Sequence, residues 1–170
     1  SIQAAIDQAV LDGATFSDPA VVLVKPGTYT EDVSLAVGVN VIALIYEKSY
    51  MTGVSGTLTF NSGAGGSVGS KITTWVGIDV SGDGTNPTLQ FSGANPQRLN
   101  ITNCEINSPG PSQACLLSNA GTGSVLVAKD VNFNQSGSGL DASEAILAQA
   151  GKVSLTKVQA NAFNHLDAIS

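Results

Sequence analysis

The chain is short of the side chains that carry most proton-transfer and phosphate chemistry. It has one histidine, His165, and one arginine, Arg98, beside six scattered lysines. Charged residues make up only 12% of it and the net charge is -6, so no basic surface is on offer to a phosphate backbone. Nucleic acid is excluded as an expected partner. The two cysteines, Cys104 and Cys115, are too few and too widely separated for a disulfide scaffold or a CxxC redox motif. No apolar run approaches the roughly 20 residues of a membrane-spanning helix, and no basic segment precedes a signal-like stretch. Membrane insertion is therefore not expected. Aromatic residues are sparse as well, at 5%.

Glycine, by contrast, is abundant, with 19 residues in a chain of 170. A single domain of this length can bury a sizeable core. The glycines mark a fold that turns often, because bends use backbone conformations that other residues resist.

The decisive pattern is a repeat. Asn107, Asn134 and Asn161 recur at equal intervals. Before each of them, Cys104, Val131 and Val158 are apolar, as are Ile106, Phe133 and Ala160, while Glu105, Asn132 and Gln159 between them are polar. Each copy thus alternates with the period of a strand. A repeat of this length built from short strands predicts an all-β, right-handed, single-stranded parallel β-helix, in which each coil buries its inward residues against the coils on either side. Stepping back from Cys104 and Ile106 by a slightly shorter interval adds Ile78 and Val80 to the inward ladder and places Asp79 beside Glu105. At that same shorter interval Leu140, Asp141 and Ala142 recur as Leu166, Asp167 and Ala168. The asparagine column reads as an amide ladder stacked at a bend, and Asp130 and Lys157 as a surface ion pair between neighbouring coils. Cys104 falls inward, as an inert core thiol.

At the N-terminal end, Ile2, Ala5, Ile6, Ala9 and Val10 form a helical stripe, with Ser1 as its cap and Gly13 as its stop. Residues 1–13 are thus expected to form a capping α-helix over the open first coil. Residues 20–170 form the coils of a single domain, and the last coil reads as incomplete. Strands are expected at 20–25, 39–45, 57–60, 72–80, 88–91, 99–106, 114–117, 125–133, 145–147 and 153–160.

The N-terminal residues Ser1-Ile2-Gln3-Ala4-Ala5-Ile6-Asp7, then Val21-Val22-Leu23-Val24, then Pro26-Gly27-Thr28-Tyr29 with Val33 beyond, resemble the opening of proteins of the pectin lyase-like superfamily. That resemblance implies a right-handed parallel β-helix. Members of the superfamily include polysaccharide lyases and hydrolases, adhesins, and the spikes, fibres and appendages of bacteriophages and other viruses. Neither the Gly-His-Gly nor the Arg-Ile-Lys element of its galacturonan hydrolases is present; His165 sits in Asn164-His165-Leu166. The expectation is accordingly a non-enzymatic structural protein of a virion or surface appendage: a fibre, spike or decoration module, with attachment to a surface glycan as an added role. No cofactor is expected. Partners would be further copies of the chain, by family analogy as a trimer, or other structural subunits, at a virion, extracellular or cell-surface location.

The alternative is a polysaccharide lyase or glycoside hydrolase acting at Asp79 and Glu105. The register turns both outward on adjacent coils, about 4.8 Å apart along the stack. That is close to the roughly 5 to 5.5 Å between the carboxyl groups of retaining glycosidases. Arg98 would serve as the base of a lyase, and Asp79, Asp83 and Glu105 would be the ligands of a calcium ion. Exposed aromatics are sought at Tyr46 and Tyr50, which with Met51 form a candidate interface, and at Trp75.

Overall fold

The computed structural model describes residues 1–45, 51–61, 72–94, 96–110, 113–136 and 145–162. After helix α1 (Ile2–Leu11), the first coil consists of β1 (Ala20–Val24), β2 (Gly27–Thr30) and β3 (Val33–Leu35). The second has β4 (Val39–Ala43), β5 (Thr52–Ser55) and β6 (Leu58–Asn61), and the third β7 (Ile72–Val76), β8 (Asp79–Ser81) and β9 (Leu89–Ser92). Further on, the first two strands of a coil merge into one long strand. These are β10 (Arg98–Ser108), followed by β11 (Leu116–Asn119), then β12 (Val125–Gln135), followed by β13 (Ile146–Ala150), and finally β14 (Lys152–Ala162).

Among the described residues all strand pairing is parallel and runs from coil to coil. One sheet runs β1-β4-β7-β10-β12-β14, with β2, β5 and β8 stacked onto the second half of β10, and another runs β3-β6-β9-β11-β13. The protein is a right-handed parallel β-helix capped by a short N-terminal helix. The sequence repeat appears directly as register: Cys104 pairs with Val131 and Val131 with Val158, Ile106 with Phe133 and Phe133 with Ala160, and Asn107 with Asn134 and Asn134 with Asn161.

One column makes the corner between the two halves of the large sheet. Asn103, Asp130 and Lys157 all adopt left-handed backbone conformations, with φ of 54°, 53° and 51°. Gly77, at the corresponding place one coil before Asn103, continues that column at φ 71°. Glycine adopts this conformation without the steric cost that a Cβ imposes, and here it separates two strands. The strand expected over 72–80 is therefore two strands, β7 and β8, separated at Gly77. The asparagine ladder is also displaced from expectation. It lies within the second half of the strands, and the bend comes before it, at the left-handed column.

Inward rows fill the interior. Val41, Trp75, Ile101 and Ala128 follow one register, and Val54, Val80, Ile106 and Phe133 another; all are buried. Phe60 and Phe91, on paired strands of the smaller sheet, stack with centroids 5.8 Å apart. Trp75, sought as an exposed aromatic, is fully buried instead. It shares the inward row of Val41 and Ile101, and its indole N–H donates to the Ile78 carbonyl at 2.9 Å. A threonine-rich strand concealed its inward parity. Cys104 and Cys115 are both buried free thiols. Burial raises both, Cys115 to about 12, and for Cys104 the nearby carboxylates of Asp79 and Glu105 add to the rise.

Helix α1 closes the first coil by burying Ile2 and Ile6. Glu31 holds its start: the Ile2 and Gln3 amides donate to its carboxylate at 2.7 and 2.9 Å, and the Ser1 hydroxyl at 2.7 Å. Burial pushes the Glu31 carboxyl up, but these hydrogen bonds outweigh it and leave the group below its ordinary value. Ser1 also accepts from the Ala4 amide, as an N-cap should.

Candidate functional site

Asp79 and Glu105 lie on the outer face of the second half of the large sheet, each half-exposed. The ladder between β8 and β10 begins at Val80–Ile106, so Glu105 sits just before its first rung on that side. There the Asp79 carboxylate accepts a hydrogen bond from the Glu105 amide at 2.7 Å. Two other places use the same device. Asp32 accepts from the Thr57 amide and hydroxyl at 2.7 and 2.9 Å, and Asn40 from the Thr74 amide and hydroxyl at 3.1 and 2.8 Å. In each case a short polar side chain reaches one coil along and satisfies a backbone donor. The bonds from Thr57 hold the Asp32 carboxyl below its ordinary range.

The remaining candidates are dispersed. Asp83 is exposed in the loop after β8, where its carboxylate accepts from the Thr85 and Asn86 amides at 2.7 and 3.3 Å, an arrangement that fixes its own turn. Arg98 is exposed at the start of β10, and its Nε donates to the Asn100 side chain at 3.0 Å. A stretch of strand and the left-handed corner separate Arg98 from Glu105, on the order of 20 Å along the chain. Among the described residues, no three His, Cys, Asp or Glu side chains converge, Asp79, Asp83 and Glu105 included. Met51 is exposed, whereas Tyr46, Tyr50 and His165 lie outside the described residues, as do both copies of the Leu-Asp-Ala repeat.

Beside the Asp79–Glu105 column, Asn107, Asn134 and Asn161 form a hydrogen-bonded ladder on the same outer face. The Asn134 amide donates to Asn107 at 3.0 Å, and that of Asn161 to Asn134 at 2.8 Å. Further round, Lys157 approaches Asp130 at 3.9 Å, an exposed ion pair of small energetic weight.

Sequence reasoning placed a strand at β1 but did not single out its outer face. Its wholly apolar run hides the fact that Val21 and Leu23 point outward, 55% and 62% exposed, while Val22 and Val24 point inward. An apolar run carrying both parities was the available signal, since one parity must face away from the core. No helix among the described residues is long and apolar enough to cross a membrane. No family model matches the chain, and no curated protein or solved structure matches it.

Proposed function

We propose that this β-helix is a rigid structural module without enzymatic activity, belonging to an extracellular assembly such as a fibre, spike or decoration of a virion or cell surface. One observation carries the reading: the carboxylate nominated for chemistry, Asp79, is bonded to a backbone amide of the next coil, in the manner of Asp32 and Asn40. General acid and base work calls for a carboxylate directed at substrate. Asp79 has the attributes of a rung in the stack. The repeated coil-to-coil bonding along the sheets suits a load-bearing element, and oligomerisation with further copies or attachment to a surface glycan fits the same role.

The second reading, sugar chemistry at Asp79 and Glu105, draws on one feature. The two residues are neighbours on one outer face, one coil apart, beside an amide ladder able to bond hydroxyls. A screen of acidic and neutral polysaccharides, with and without calcium, reads both reducing-end release and unsaturated products. The structural reading expects neither. Turnover abolished in both Asp79→Asn and Glu105→Gln, with the fold intact, would replace it with the enzyme.

A further inference from the structure

Among the described residues, the first strand has one edge with no partner strand. In β1, the Ala20 amide donates to the Gly38 carbonyl at 2.9 Å, and the Val24 carbonyl accepts from the Leu44 amide at 2.7 Å, so Ala20, Val22 and Val24 turn their main-chain groups toward β4. Strand geometry then turns the N–H and C=O groups of Val21 and Leu23 the opposite way. No strand among the described residues pairs with them there, because β1 ends the sheet. Such an edge is a template for another strand unless something covers it.

Helix α1 does not cover it. Ile2 and Ile6 anchor the helix over the core, and between the helix and the strand remains a groove made of two adjoining hollows that share Ala5, Val22 and Leu23. Its helix side presents small residues, Ala5 and Ala9, and its other wall is β1 itself. The ends of the groove differ in charge. Asp12 and Asp18 line it near the start of β1, and Lys25 lines it at the strand's end.

The geometry points to a strand-addition site: an extended peptide segment of another protein pairs with the free edge of β1 and lies in the groove beside α1. The segment has apolar side chains at alternate positions, a cationic residue at the end facing Asp12 and Asp18, and an anionic one at the end facing Lys25. It runs parallel to β1, as every pair in this sheet does. Main-chain bonds to Val21 and Leu23 hold it, and its alternate side chains fill the space left by the alanines. A second copy of the solenoid fits poorly. Pairing flush with β1 would bring its first coil to about 4.8 Å from this one, into space that α1, about 10 Å across, already occupies. This inference is independent of whether the outer face at Asp79 does chemistry.

The probe is a fluorophore-labelled, end-capped peptide of sequence Lys-Val-Thr-Val-Thr-Val-Glu, titrated with the intact protein and read by anisotropy. Saturable binding is expected. N-methylation of one alternate set of its amides should abolish binding, and methylation of the other set should leave it. Leu23→Pro removes one edge donor without touching the ladder to β4, and should weaken binding about tenfold, the net effect of one lost hydrogen bond. Should that variant not fold, the two methylated peptides still decide. Exchanging the charges, with Asp12→Lys, Asp18→Lys and Lys25→Glu together, should favour the peptide with its terminal charges reversed. Absence of binding, or equal weakening by both methylation patterns, would overturn the proposal. So would a dimer of the protein that Leu23→Pro dissociates, since the edge would then belong to a second copy.

Discussion

Replacing Phe133 by alanine tests the coil register where it is most tightly specified. The ring is fully buried in the row Val80, Ile106, Phe133, Ala160, so its neighbours along the stack are an isoleucine on one side and an alanine on the other. Deleting it removes a large apolar surface and leaves a cavity. Coils held about 4.8 Å apart by continuous backbone ladders cannot close around such a cavity, and Ala160 is too small to fill it. The expected cost is about 3 to 5 kcal/mol. For a domain of this length, that corresponds to a fall in Tm of roughly 6 to 20 °C. Phe133→Leu, which keeps most of the volume, should cost well under half as much. Glu105→Gln, on the outer face of the adjoining coil, should change stability by less than about 0.5 kcal/mol. Urea denaturation followed by circular dichroism measures all three variants. If Phe133→Ala cost no more than Glu105→Gln, the inward assignment of the row would be wrong, and with it the alternation on which the fold rests.

Three further outcomes follow from the same structure. Asn134→Ala breaks both bonds of the amide ladder and should cost about 1 to 3 kcal/mol, whereas Asn161→Ala breaks one and should cost less; urea midpoints of the two variants give the order. Gly38→Ala should lower Tm sharply, because Gly38 has φ 80° and a Cβ there would collide with the Thr15 backbone; a cost below about 1 kcal/mol by urea denaturation would contradict this close approach. Glu31 and Asp32 both have folded-state affinities for protons below the ordinary carboxylate value, so the stability they contribute is complete above that value and is lost as pH falls through the depressed ones. Urea midpoints measured from neutral to strongly acidic pH should therefore fall less steeply for the double variant Glu31→Gln, Asp32→Asn than for the parent, and parallel curves would remove these two groups from the acid transition.

The architecture was legible in the sequence because a solenoid writes its packing into a short period. Cys104, Val131 and Val158 had to share a face, and Glu105, Asn132 and Gln159 the other, since side chains alternate strictly along a strand and a one-residue slip would exchange core for solvent. The capping helix was legible for a similar reason: Ile2 and Ile6 lie one turn apart on a single apolar stripe, with Ser1 at the cap position. Alternation, however, says only which way a side chain points, and not what the neighbouring coil places opposite it. Trp75 was misread because Thr73 and Thr74, of opposite parity, look alike in sequence, and only pairing with Val41 and Ile101 showed which parity was inward. The role of Asp79 depended on a missing ladder rung beside the left-handed corner, which exposes the Glu105 amide to a carboxylate one coil earlier. The edge of β1 is likewise a property of the stack, because a strand is an edge only by virtue of where the other strands lie. Local chain chemistry thus determined period, face and cap. The partners of polar groups and the free edges were decided by tertiary structure, because the residues concerned meet only after whole coils have been laid one upon another.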